Sequence, residues 1–126
     1  MSIIVKHRDG VEILQMTGDF SIGRHIGNPR DLQGRPLDDL RQEIDGLLAR
    51  GRVRIILDLE RVKFIDSAGL GELIASRKRA VELGGDIRIL HPGRHVEEVL
   101  VLTLLTEVFE IFHDEDAAVA AFTSPR

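Results

Sequence analysis

The sequence predicts an α/β domain: a mixed sheet of about four to five strands, opened by an N-terminal hairpin and packed with about four helices. Three observations carry that reading. An Asp9-Gly10 pair separates two β-rich stretches at the start. Short apolar runs then alternate with segments of helical spacing to the end of the chain. The 126 residues, 43% hydrophobic and 30% charged, suffice for one buried core and not for two. A single domain over residues 1–126 is therefore expected.

Taken in order, residues 2–7 and 11–17 alternate around Arg8-Asp9-Gly10 and read as two antiparallel strands. Residues 21–35, SIGRHIGNPRDLQGR, hold three glycines and one proline with no usable period, so a loop is expected. Loops of that length are usually functional or mobile. Leu37, Leu40, Ile44, Leu47 and Leu48 recur at helical spacing, with Asp38 and Asp39 in the first turn and Gly51 past the last. Residues 53–59, VRIILDL, form the short β-branched run of a central strand. A second helix starts near Ser67: Leu70, Leu73, Ile74 and Val81 keep the spacing, and Gly84-Gly85 ends it. Its Arg77-Lys78-Arg79 run reads as a solvated face. Residues 86–90 read as a strand and His91-Pro92-Gly93 as a turn. Residues 96–108 are expected to form a third helix; VLVLTLL at 99–105 also fits a strand by periodicity, but Glu97, Glu98 and Glu107 bracket a stretch of three turns. A last short strand at 110–113 and an Ala-rich helix at 115–122 complete the chain.

Composition narrows the function classes. Seventeen Lys and Arg against 21 Asp and Glu give a net charge of −4, and there is no Trp or Tyr, which argues against a nucleic-acid footprint. No apolar run approaches the roughly 18–20 residues of a membrane span, and the start, MSIIVKHRDG, lacks the pattern of a secretory signal, so a cytoplasmic protein without membrane contact is expected. The absence of cysteine removes disulfides, thiol nucleophiles and thiolate metal sites. His91 and His95 are four apart, but Pro92-Gly93 interrupts them and no third ligand is near, so no metal is expected.

The chemistry concentrates in VKFIDSAGLGELI, residues 62–74, where Asp66, Ser67, Ala68 and Gly69 stand between a strand-like and a helix-like run. Either Asp66 or Ser67 can cap the helix by accepting a backbone N–H. Gly69 and Gly71 each cost up to ~1 kcal/mol in a helix relative to alanine, which implies close packing or close approach by another molecule. A phosphate on Ser67 would sit at a helix N-terminus, where free N–H groups and the dipole favour an anion, and would add roughly −1.5 to −2 charges beside Asp66. On the residues alone, a capping serine and a regulatory serine both stand. Ser67 does not lie in the G-x-S-x-G pattern of a hydrolase. Gly69-x-Gly71 lacks the third glycine of a dinucleotide fingerprint and the lysine of a P-loop. No catalytic residue and no cofactor are therefore expected.

The string D-S-A-G-L-G after an apolar strand, followed by a helix ending in G-G and another strand, resembles the STAS family, specifically the bacterial anti-anti-sigma factors, or anti-sigma factor antagonists. The similarity runs from the hairpin ending at Gly18-Asp19 through LDLERVKFIDSAGLG to the terminal VFEIF. The resemblance implies a STAS fold and a non-enzymatic, phosphorylatable switch in transcription regulation, including stress responses. The unmodified domain binds an anti-sigma factor and frees the sigma factor. That anti-sigma factor is also the serine kinase that phosphorylates the residue matching Ser67, and a PP2C-type phosphatase restores it. Asp66, Ala68, Gly69, Leu70 and Gly71 match the partner-binding turn, and Asp19 and Ser21 fall in the matching stretch at the end of the hairpin.

Three departures from the family pattern stand out. Ala68 replaces a hydroxyl residue, Gly18-Asp19-Phe20-Ser21 replaces a G-E-x-D pattern, and Thr103-Leu104-Leu105 replaces T-G-L. Arg24, His25, Arg30 and Arg35 in the long loop are candidates to pair with a phosphate or an acidic partner, the alternative being a solvated insertion. Leu102, Leu104 and Leu105 are expected to fill the core, the alternative being an exposed partner or weak homodimer surface. The rival function is a STAS scaffold or regulatory subunit of a signalling or transport assembly, in which Ser67 only caps the second helix.

Overall fold

The computed structural model describes residues 1–21 and 36–123. Beyond Ser21 the long loop expected at 21–35, with Arg24, His25, Arg30 and Arg35, lies outside the described residues. The chain begins with β1 (Ser2–Arg8) and β2 (Val11–Phe20), an antiparallel pair. Asp9 and Gly10 between them have φ of 52° and 78°, the two left-handed residues that a tight hairpin matching strand twist requires. There follow α1 (Pro36–Ala49), β3 (Arg54–Ile65), α2 (Ser67–Glu82), β4 (Asp86–Leu90), α3 (Arg94–Leu102), β5 (Ile111–Phe112) and α4 (Glu115–Thr123). The sheet order is β1-β2-β3-β4-β5, antiparallel in the first pair and parallel in the others. This is the predicted mixed sheet with its N-terminal hairpin and four helices.

Both faces of the sheet are covered, so the central strands read as continuous apolar runs rather than alternating ones. On one face Leu14, Met16, Leu57 and Leu59 cluster with Leu40 and Ile44 of α1, Leu73 of α2 and Leu100 of α3. On the other, Val11, Ile13, Ile56 and Leu90 meet Ala118 and Val119 of α4. Helices α1 and α2 are also joined by charge. The Glu72 carboxylate, 6% exposed, accepts from Arg41 at 3.1 Å, Arg79 at 3.3 Å and Ser76 at 3.3 Å. Several partners are what a buried carboxylate needs to offset its lost hydration.

Three expectations change. First, β3 runs six residues past the predicted end at 59. Its register against β2 slips twice, between Gln15 and Thr17 and between Gly18 and Phe20, with β3 carrying the extra residue each time. Those bulges let Leu57, Leu59, Val62 and Ile65 all bury although their spacing is two, three and three. Asp58 Oδ1 accepts from the Glu60 N–H at 3.1 Å inside the first bulge. A period of three is no strand signal, so the pattern did not show residues 53–59 and the strand-like run before Asp66 to be one strand.

Second, α3 stops at Leu102 and does not reach 108. The Thr103 hydroxyl donates back to the Val99 carbonyl at 2.7 Å, and Leu104 turns the chain with φ of 60° into a 3-10 turn, Leu105–Glu107. Only Leu105, 7% exposed, enters the core; Leu102 and Leu104 are 82% and 66% exposed. The core-filling expectation fails for Leu102 because it lies on the face of α3 opposite the buried Val96 and Leu100, and for Leu104 because its left-handed backbone turns the chain there. Third, Arg77 and Arg79 are not a solvated face. Arg77 binds Asp86 at 2.9 Å and Arg79 binds Asp45 at 2.9 Å, leaving Lys78 as the outward member.

Candidate functional site

The ends of β2 and β3 lie side by side, with Phe20 opposite Ile65, and each chain leaves the sheet there. Asp66 is extended, with φ −106° and ψ −179°, and its Oδ1 accepts the Gly69 N–H at 2.8 Å. Its carbonyl accepts the Leu70 N–H at 3.0 Å, the first helical bond of α2. Its second oxygen, Oδ2, accepts the Ser21 hydroxyl at 3.0 Å. Asp66 is therefore the N-cap, and it also ties the end of β2 to the start of α2.

That assignment resolves the choice between the two caps. Ser67 is the first helical residue and is exposed, and its hydroxyl has no hydrogen-bond partner among the described residues. With the Gly69 and Leu70 N–H groups taken by Asp66, those of Ser67 and Ala68 remain for solvent or an anion. The 16 residues of α2 direct the positive end of a helix dipole at this point, and the first turn holds no acidic residue. An anion formed on Ser67 would meet that field at a position reachable from outside.

The two glycines have different causes. A Cβ on Gly69 would lie 2.9 Å from both Phe20 Cδ2 and Ile65 Cγ1, and closer still to the Phe20 carbonyl oxygen, so glycine lets the first turn of α2 press against the end of β2. Around Gly71 nothing lies within 4 Å of an added Cβ. The fold therefore gives a packing reason for Gly69 and none for Gly71, whose exposed position leaves room for another molecule's backbone.

Of the residues expected to bind a partner, Ser67 and Gly71 are exposed, and Asp19, Asp66 and Ala68 are half-buried. Gly69, Leu70 and Ser21 are buried, so they shape the turn from inside. Periodicity does not single out Phe64, which is partly exposed shortly before the motif and stacks on His95 at the start of α3, ring centroids 5.9 Å apart and planes 8° apart. The available signal was an aromatic residue between Val62 and Ile65, both of which face the core. His95 is thus a stacking partner. Among the described residues no group of three or more His, Cys, Asp or Glu is placed to hold a metal. Among them, too, no helix is long and apolar enough to cross a membrane.

Comparison with known proteins places the chain in a family and a fold. The family model described as STAS domain matches residues 34–118. The chain is 29% identical over 85 residues to BtrV of Bordetella bronchiseptica, named as a proposed anti-sigma factor antagonist, covering 68% of this chain and 73% of that one. It is 24% identical over 116 residues to the anti-sigma F factor antagonist of Paenibacillus polymyxa, covering 91% and 89%. In fold it is similar to the anti-sigma factor antagonist SpoIIAA of Bacillus, solved both unphosphorylated and phosphorylated. The unphosphorylated form gives a TM-score of 0.75 at 16% identity, covering 99% of both chains. The phosphorylated form gives 0.67 at 17%, covering 95% of this chain and 98% of that one.

Proposed function

The chain belongs to the STAS domain family, and on that premise we propose that it acts as an anti-sigma factor antagonist switched at Ser67. In this reading residues 1–126 form one binding module, not an enzyme, working in the cytoplasm in transcription regulation. Unmodified, it binds an anti-sigma factor through the exposed start of α2 and so releases a sigma factor. The same partner, as an ATP-dependent serine kinase, transfers the γ-phosphoryl group of ATP to Ser67 Oγ, leaving ADP; a PP2C-type phosphatase later hydrolyses the ester.

One observation carries the reading: Asp66 holds the cap, so Ser67 stands exposed at the positive end of α2 with its hydroxyl uncommitted among the described residues. A phosphate there is favoured locally by the helix and opposed at a partner surface shaped for a neutral serine. A loss of ~1.4 kcal/mol already weakens binding tenfold, which like-charge contact and the desolvation of a phosphate can supply. The rival scaffold reading assigned Ser67 to capping, and that work belongs to Asp66.

The test is intact mass after incubation with ATP and the anti-sigma kinase, beside Ser67→Ala. One added phosphate, absent from the variant, is expected. Ser67→Ala should retain the partner and Ser67→Glu should lose it. An unmodified wild type that still forms the complex would overturn the switch and leave the scaffold reading.

A further inference from the structure

We infer that the end of α3 is a second docking surface, separate from Ser67, for an apolar protein segment flanked by lysines or arginines. Val101, Leu102, Leu104 and Val108 are all exposed where α3 gives way to the 3-10 turn. Leu104 carries two penalties at once. Its φ of 60° is a conformation that disfavours any residue with a Cβ, and its side chain is 66% exposed. Glycine would hold this turn without strain, and a polar side chain would avoid the apolar exposure. Leucine does neither, so the fold gives no reason for it, and strained residues of this kind gather where a site uses them.

The frame of the patch identifies the occupant. A shallow groove beside Val101 and Leu102 is bordered by Arg94, Glu97 and Glu98, and the turn after Leu104 adds Glu107. Arg94 is balanced by Glu98 at 3.5 Å. Glu97 in turn contacts His113 Nε2 at 3.0 Å, so Glu107 is the rim carboxylate with no ion pair of its own among the described residues. Three carboxylates to one guanidinium and one imidazole still leave the rim acidic, and apolar side chains inside an acidic frame are complementary to an amphipathic segment with basic flanks. A second copy would bring the same carboxylates to each other across a two-fold axis, and an anionic lipid surface would be repelled. Four side chains also fall well short of the roughly 800 Å² per partner of a stable interface, which suits a single helix or strand.

The test uses the full chain, labelled with ¹⁵N and titrated with an amphipathic helical peptide of ~14 residues, leucine on one face and lysine on the other. The control peptide carries glutamate in place of lysine. Expected are saturable shifts confined to residues 94–108 with the lysine peptide alone. Affinity should fall about tenfold, the loss of one central anchor, in Leu102→Ser and in Leu104→Gly. The second variant should also melt higher than wild type, which separates lost docking from misfolding. Glu98→Gln with Glu107→Gln should weaken binding in the same direction, and Ser67→Glu should leave it unchanged. Absent or unsaturable shifts, or equal binding of both peptides, would overturn the proposal. So would a concentration-dependent dimer abolished by Leu102→Ser, since the occupant would then be a second copy.

Discussion

Helices α2 and α4 begin in the same way and end up serving different purposes. Asp66 caps α2 by accepting from Gly69 N–H at 2.8 Å, and Asp114 caps α4 by accepting from Ala117 N–H at 3.0 Å. Both carbonyls accept the next helical bond, from Leu70 at 3.0 Å and Ala118 at 3.1 Å. The residue after each cap differs. In α4 it is Glu115, whose carboxylate lies 2.7 Å from Lys6 and 2.8 Å from Arg8, while Asp116 also pairs with Arg8. The hydrogen bond from Lys6 holds the Glu115 carboxyl below the usual carboxylate range, against the opposing effect of its burial. In α2 that position is Ser67, neutral and exposed. A permanent negative charge, answered within the chain, fastens α4 to β1; the equivalent place on α2 holds an exposed, neutral hydroxyl.

The sharpest way to break this comparison is to exchange the third helical residues, Gly69 and Ala117. Gly69→Ala should destabilise the fold by about 3 kcal/mol, the upper end of overpacking, because the clash includes the Phe20 backbone, which cannot swing aside. Ala117→Gly, at an exposed position, should cost at most about 1 kcal/mol through helix propensity. Urea unfolding measures both. Similar costs would mean that α2 is not pressed against β2 as its contacts indicate.

Next in size are the caps. Asp66→Ala should cost about 2 kcal/mol and Asp114→Ala about 1 kcal/mol, because Asp66 also holds Ser21. Ser67→Ala should stay within about 0.5 kcal/mol, as expected of a surface position outside the packing. If Ser67→Ala matched Asp66→Ala in thermal or urea unfolding, the serine would be the structural residue after all.

These pairs also show what the sequence could and could not disclose. The start of α2 was legible because D-S-A-G-L-G is a compact local string, and the Asp9-Gly10 hairpin was legible because a two-residue turn has its own backbone demands. The division of labour between Asp66 and Ser67 was not, since both residue types can cap and only the direction of the side chains decides. The reason for Gly69 was hidden as well, because Phe20 is distant in sequence and meets it only through the pairing of β2 with β3. The bulged half of β3 and the early end of α3 failed for a related cause. Tertiary burial at a spacing of three and one left-handed leucine override local periodicity.

Ser67→Glu sharpens the comparison by giving α2 the residue that α4 already has. Fold stability should rise by about 0.3–0.5 kcal/mol, the low end for an exposed anion at a helix start. Affinity for the anti-sigma partner should fall at least about tenfold, measured by calorimetry, from like-charge contact and desolvation. A variant that bound as wild type would place the partner elsewhere on the surface.

A further small effect lies on the other side of the comparison, in the pH dependence of α4. Glu115 has its folded pKa lowered, so its pairs with Lys6 and Arg8 contribute stability that is fully present above the unfolded value of about 4.3. That contribution is lost as pH falls through the folded value. The sign fixes the experiment. Glu115→Gln should be less stable than wild type at pH 7 by less than the ~1 kcal/mol typical of exposed pairs, and the two proteins should converge as the solution is acidified below the carboxyl's folded pKa. Added salt should narrow the gap at pH 7, since Lys6 and Arg8 are partly exposed and screened. The small gain expected of Ser67→Glu, by contrast, is that of a helix start. A Glu115→Gln gap that neither acidification nor added salt narrowed would mean that Glu115 acts through packing. The charge at the start of α4 would then not be what fastens it, and the contrast with Ser67 would rest on exposure alone.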